Sequence, residues 1–222
     1  MTELEAVNTI LATIGEAGIT SLSSPIGFVN GQPVYNQSGN NAISDSTLAQ
    51  RTLKEVSTDV QSEGWTWNTD NNVEIAPTAQ NVYPVSANTL SVQFSPNQYP
   101  HGQYVLRGLR IYDRQLHKFD FAQELDDAKL YAANVITKLD WDQIPHAAQQ
   151  YITIRAARIF SDRYVASSVV FTYTTADEDQ ARTMLVRAEE STLDNNLLWG
   201  NDRGVGQGLS YIPAAGTRYR FH

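Results

Sequence analysis

The chain has no cysteine among its 222 residues. That excludes disulfides, zinc–thiolate sites and thiol nucleophiles. No stretch approaches the roughly 18 apolar residues that a membrane-spanning helix requires, so no membrane insertion is expected. The N-terminus, Met-Thr-Glu-Leu-Glu, lacks the positive segment and apolar run of a secretory signal. The expectation is a protein made soluble in a cytoplasm. Positive charge is scarce: 16 Lys and Arg stand against 24 Asp and Glu, a net charge of −8. Gripping phosphates needs clustered Lys and Arg, so this balance counts against a nucleic-acid-binding module. The phosphate loops GxxxxGK[ST] and GxGxxG and the GxSxG elbow are missing. Gly204-Val205-Gly206-Gln207-Gly208 is glycine-rich but has no lysine and no strand before it. His101, His117, His146 and His222 share no metal-ligand spacing. No cofactor is expected.

What is present is organised around Ser44 to Asn68. Ser44, Asp45 and Ser46 are three candidate caps for a helix. Leu48, Thr52, Leu53, Val56 and Val60 then recur at helical spacing and form one apolar stripe. Gly64 suits the left-handed conformation that ends a helix. Beyond it, Trp65 and Trp67 are expected on one face of an extended segment, as core rather than site, joining a helical layer to a sheet.

Before this stretch, Thr2 and Glu5 form a capping-box pattern for a helix from Glu3 to about Ile14, with Gly15 closing it. Residues 16–43 are rich in Gly, Ser, Asn and Pro. Phe28-Val29 and Val34-Tyr35 around Asn30-Gly31 allow a hairpin, but the reading adopted is a loop that contacts a neighbouring subunit. From Val73 to Leu139 the pattern is mostly β, with strands at Val73–Ile75, Leu90–Phe94, Tyr104–Leu109, Arg110–Tyr112, Leu116–Phe121 and Leu130–Leu139. Helical periodicity resumes at Pro145, placed at a first helical position, and runs to about Tyr164. Thr175 and Glu178 repeat the capping-box pattern for a last helix to about Asn195. Its stripe is Ala181, Met184, Leu185, Ala188 and Thr192.

The fold class expected is α+β: an antiparallel four-helix bundle with an inserted, mainly antiparallel β module and an extended C-terminal arm. The divisions are 1–64 and 144–199 for the two halves of the bundle, 65–143 for the β module and 200–222 for the arm. The last segment has no period of either kind and carries Arg203, Arg218 and Arg220 against Asp202 alone. It is either a disordered tail or an arm that orders on a partner.

Five segments in order are similar to the tail tubular protein A family of short-tailed bacteriophages. They are LEAVNTILATIG (4–15), the helix ending GWTWN (64–68), VYPVSANTLSV (82–92), LDWDQIP (139–145) and AAQQYITIRAARIFSDRY (147–164). The resemblance covers most of the chain up to about residue 200. It implies a structural virion protein of the tail, assembled in the host cytoplasm. Its implied partners are copies of itself in a dodecameric ring, the portal protein, and the tail nozzle protein (tail tubular protein B). DNA would pass through the lumen without sequence-specific binding, which an acidic wall favours; solubility alone also accounts for the charge.

Candidate functional residues follow from type and position. Arg155, Arg158 and Arg163 cluster on an acidic chain; they either pair with carboxylates between helices or serve subunit or lumen contacts. In the arm, Tyr211, Arg218, Tyr219 and Arg220 are of the types favoured as interface anchors, for a neighbouring subunit or the portal. One enzymatic alternative remains, a glycan-degrading activity resting on a carboxylate pair. Asp140 and Asp142 flank Trp141, downstream of Glu124, Asp126 and Asp127. Glycosidases need two carboxyl groups facing each other near aromatic rings. The plainer role for Asp142 is a helix-start charge.

Overall fold

The computed structural model describes residues 1–22, 25–29, 32–35, 44–99, 103–124, 129–164 and 175–193. These form a mixed α+β chain with four helices and antiparallel sheets. They divide into two compact units, 1–60 with 140–193, and 61–139.

The first unit is helical apart from one hairpin. Helix α1 spans Glu3–Ala12 and has the reciprocal cap predicted for it. The Glu5 N–H donates to Thr2 Oγ1 at 3.2 Å, and the Thr2 N–H donates to Glu5 Oε2 at 2.8 Å. Its end closes as a Schellman turn, with Glu16 N–H donating to the Leu11 carbonyl, Gly15 N–H to the Ala12 carbonyl, and Gly15 at φ +79°. Within the stretch expected as a loop, the described residues form two paired strands: β1 (Pro25–Val29) runs antiparallel to β2 (Gln32–Tyr35), with Val29 opposite Gln32. Pro33 is accommodated in the second strand.

Helix α2 spans Asp45–Ser62, with Ser44 before it accepting from the Thr47 N–H. It buries Ala49, Leu53, Val56 and Val60. Helix α3 spans His146–Tyr164, and Pro145 precedes it rather than occupying its first position. The Pro145 carbonyl still accepts the first helical hydrogen bond, from Gln149. Ala148, Tyr151, Ile152, Ala156 and Phe160 are buried along one stripe. Helix α4 spans Thr175–Leu193, so Thr175 is its first residue and not its cap. Ala181 and Leu185 are buried as expected, whereas Met184 is 52% exposed. Polar links join these helices. Met1 donates its amino group to Gln149, and Trp141 Nε1 donates to the Met1 carbonyl at 3.0 Å. Gln50 and Lys54 of α2 both reach Glu3 of α1.

The second unit begins where α2 ends. The Gly-Trp-Thr-Trp-Asn segment is not extended: Thr66–Asn68 is a turn of 3-10 helix, so Trp65 and Trp67 do not share one strand face. Trp65 is buried and Trp67 half-buried. The cause is Asn68, whose Oδ1 accepts from the Trp65 N–H at 2.8 Å and curls the chain before a strand can start. Strand β3 then spans Thr69–Ile75, β4 Thr89–Phe94, β5 Tyr104–Arg107, β6 Arg110–Asp113 and β7 Leu130–Thr137. The strand expected at Leu116–Phe121 reduces to isolated bridges, Asp113 with Lys118 and Val82 with Asp120. Buried Asp113 diverts that segment, its Oδ1 accepting the N–H groups of Gln115 and Leu116 and folding the chain into a side-chain-capped turn.

Strand β7, last in sequence, is central, with β3 and β4 antiparallel on its two sides. Strands β5 and β6 form a separate hairpin. Ile75, Tyr83, Ile111, Leu130 and Ala132 pack with an aromatic cluster. Tyr104 lies at its middle, stacked on Phe121 at 5.2 Å between ring centres and edge-on to Phe94 and Tyr99. Such pairs contribute about 0.5–1.5 kcal/mol each beyond their area.

The entry and exit of this unit are tied together. Gln61, 0% exposed, donates Nε2 to the Leu139 carbonyl at 3.2 Å and accepts the Leu139 N–H on Oε1 at 2.7 Å. Asn68 Nδ2 donates to the Gln61 carbonyl at 2.8 Å and to the Thr137 carbonyl at 3.2 Å. Gly64 lies in the same knot at φ +76°, where an added Cβ would sit 2.7 Å from Ile136 Cδ1.

Gly64→Ala should therefore cost more than Gly15→Ala, about 2–4 against about 1–2 kcal/mol, since both meet left-handed strain and only Gly64 also meets a side chain. Urea unfolding of both variants tests this. Adding Ile136→Val, which removes the Cδ1, should recover about 1 kcal/mol relative to additivity. Gln61→Glu should unfold in a pH-dependent way. A protonated Glu can donate and accept as Gln61 does, while a carboxylate only accepts and leaves the Leu139 carbonyl without its donor. Burial raises the folded pKa above the unfolded value of about 4.3, so the variant keeps its stability below that pH and loses it as pH rises towards the folded pKa. A gap from wild type widening by about 2–3 kcal/mol between pH 4 and pH 7 is expected; a constant gap would remove the clasp from the account.

Candidate functional site

Sequence position places Arg155, Arg158 and Arg163 on α3, and the structure gives each a carboxylate. Arg158 Nε donates to Glu178 Oε2, and its Nη1 donates to Asp162 Oδ2 at 3.0 Å, one turn along the same helix. Arg155 Nε lies 3.7 Å from the other oxygen of Glu178. The acid expected to cap α4 is instead shared by two arginines of α3. It still lies in the first turn of α4, where negative charge is favoured, so one carboxylate serves the helix start and the helix pairing. Hydrogen bonding to Glu178 holds the Arg158 guanidinium above even its ordinary high range. Tyr151 completes the group: its hydroxyl accepts from Arg155 at 3.2 Å and from Arg182 of α4 at 3.0 Å. Arg182 also lies over the Tyr151 ring, 5.6 Å from its centre.

Arg163 points elsewhere, making a two-pronged pair with Glu55 of α2 at 2.9 and 3.0 Å. The three arginines thus do not form one site. Two join α3 to α4, and the third joins α3 to α2. Tyr211, Arg218, Tyr219 and Arg220 lie outside the described residues, as do Asp126 and Asp127.

Asp140 and Asp142 are exposed at a 3-10 turn, Trp141–Gln143, with Gln143 accepting the Asp140 N–H at 3.3 Å. Trp141 is engaged through its indole N–H with Met1 rather than lying open beside them. An open groove of 400 Å³ does occur in the helical unit, lined by Met1, Thr153, Ile154, Asp177, Ala181 and Met184 among others, and neither Asp140 nor Asp142 lines it. Among the described residues no group of three or more His, Asp or Glu is placed to hold a metal ion, and no helix is long and apolar enough to cross a membrane.

Two features escaped sequence reasoning. Glu178 has the right spacing for a cap, and nothing in the sequence signals that arginines across a helix pair will take it. Arg107 and Arg110 each lie over an aromatic ring, Tyr112 at 3.8 Å and Phe119 at 4.7 Å. The alternation of arginine and aromatic residues between 107 and 119 is the signal that would have found them.

The Arg163 pair makes a small acid-dependent contribution. Its hydrogen bond, with the Arg163 and Arg51 charges nearby, holds the Glu55 carboxyl below the ordinary range. A depressed folded pKa gives stability that is present above the unfolded value of about 4.3 and lost as pH falls through the folded value. Both side chains are about half exposed, so the effect should stay below about 1 kcal/mol. Glu55→Gln is expected to flatten the fall in melting temperature between about pH 5 and pH 3 and to leave the Tm at pH 7 lower by only a few degrees. An unchanged acid limb would show that the pair contributes nothing.

No curated protein sequence matches the chain. A family model described as tail tubular protein matches residues 4–195, which take in all the described strands and, but for Glu3 at the start of α1, all the described helices. The chain belongs to the tail tubular protein family, a structural component of phage tails.

Proposed function

We propose that this protein is the adaptor of a short phage tail, the tail tubular protein A type, assembled as a dodecameric ring between the portal and the tail nozzle and forming part of the conduit for DNA ejection. The observation that carries the reading is the family match over residues 4–195, together with the ordered resemblance of five segments to that type. The acidic balance supports a passage through which DNA slides, because like charge disfavours adhesion. In this reading the four helices are an antiparallel bundle in two halves, 1–64 and 144–199, with 65–143 as an insert. Residues 200–222 are the arm, with Tyr211, Arg218, Tyr219 and Arg220 as its anchors on a neighbour or on the portal. Arg155, Arg158 and Arg163 then act at subunit contacts through the helix pairings they maintain. The protein resides in the virion tail and is assembled in the host cytoplasm.

The test is solution mass, for the full chain and for a chain ending at Trp199, each alone and mixed with portal rings of the same virus. The full chain should add to each portal ring as a set of about twelve copies, the number the resemblance implies, and the shortened chain should fail to add. A full chain that remains monomeric with the portal present would sink the adaptor reading. A shortened chain that adds equally well would remove the arm alone.

A further inference from the structure

The chain is acidic as a whole, yet four of its 16 Lys and Arg lie between residues 107 and 118, where Asp113 is the only acid and is fully buried. They decorate the β5–β6 hairpin and the segment after it. Arg107 pairs with Arg110 across the last rung, and Gly108 at φ +61° takes the first position of the two-residue turn. Alternation sends Tyr104, Leu106 and Ile111 to the core side and Val105, Arg107, Arg110 and Tyr112 to the other. On that outer face the side chains stack in sequence. Arg107 lies over Tyr112, Tyr112 meets Phe119 edge-on at 4.9 Å, and Arg110 lies over Phe119. No carboxylate of the described residues pairs with Arg107 or Arg110. Leu109 at the tip is 50% exposed, and Leu116 beyond the hairpin is 44% exposed.

We propose that this outer face is a docking surface for an acidic patch on a second copy of the same chain. The inference rests on the ring reading and names one of its contacts. Three observations carry it. First, guanidinium groups held against rings are already ordered, so they bind carboxylates in two-pronged geometry at reduced entropic cost. Second, arginine and tyrosine are the residue types enriched in protein interfaces, and Leu109 leaves an exposed apolar side chain at the tip between the two arginines, for which a phosphate-tracking surface has no use. Third, a basic face on a chain of net charge −8 is complementary to the rest of that chain. Contact between two different patches of identical subunits is heterologous, the kind that closes into rings or continues into tubes. A self-complementary patch would stop at a dimer.

The experiment is sedimentation velocity of the full chain across concentration, at low and high salt, alone and with portal rings. The variants are Arg107→Glu/Arg110→Glu and Leu109→Ser. Arg51→Glu/Arg187→Glu is the control, with the same change in net charge on exposed positions of the helical unit. All four residues of the charge variants are exposed, so folding should be preserved, and circular dichroism checks it. The expected result is that the hairpin variants need at least about tenfold more protein to associate, or add fewer copies per portal, while the control behaves as wild type. Hairpin variants that assemble like wild type would overturn the inference and leave the adaptor reading intact. A wild-type chain that does not associate even with the portal would overturn both. A salt-sensitive affinity for a DNA oligonucleotide that the double variant loses, with self-association unchanged, would reassign the face to nucleic acid and likewise overturn it.

Discussion

The strand unit depends on a knot of hydrogen bonds between Gln61 and Leu139, the first and last residues of its described part. A primary amide carries a donor and an acceptor on separate atoms, so it can serve a backbone N–H and a backbone C=O at once, and Gln61 does both at Leu139. Each of those groups would cost about 1–3 kcal/mol if buried without a partner. Asn68 does the same work a turn later, accepting from Trp65 and donating to Gln61 and Thr137. Two amides thus satisfy a chain crossing where helix has ended and sheet has barely begun, and where ladder hydrogen bonds are not available to either strand. Gly64 permits the close approach, since a Cβ there would stand 2.7 Å from Ile136 Cδ1 and force one of them to shift.

The order of the sheet sets a second long-range demand. The central strand β7 is the last of its unit in sequence, so neither β3 nor β4 has its partner until residues 130–137 are in place. Closing a loop of that length costs conformational entropy before any ladder forms. The rewards are then collected together: two antiparallel ladders, the Tyr104 aromatic cluster, and the clasp at Leu139. The clasp thus joins the two ends of the described part of this unit to the same set of contacts.

Local signals are legible in the sequence and distant ones are not, for a physical reason. The Thr2–Glu5 box, the glycine at the end of α1 and the stripe of α2 are written within one or two turns, and the structure has them. The segment at Trp65 and Trp67 looks like a strand by alternation, but Asn68 captures the Trp65 N–H and curls it. The run from Leu116 to Phe121 looks like a strand by composition, but Asp113 takes its first two N–H groups. In both cases a short polar side chain competes with the ladder for backbone donors, and periodicity does not register that competition. The partner of Arg158 was out of reach for a different reason: Glu178 lies on another helix, and only packing brings them together.

The same distinction bears on where an interface should be sought. A cluster of arginines on an acidic chain draws attention, yet Arg155, Arg158 and Arg163 all have carboxylates on neighbouring helices. Their charge is spent inside the unit, and removing one disturbs helix pairing before it disturbs any partner. Arg107 and Arg110 are spread along a hairpin and form no run, but their heads rest on aromatic rings and neither pairs with a carboxylate of the described residues. A ring attracts a guanidinium without satisfying its hydrogen bonds. The stacked arginine is therefore ordered and still unsaturated, and that combination, more than the density of positive charge, marks a surface able to take up an acidic neighbour.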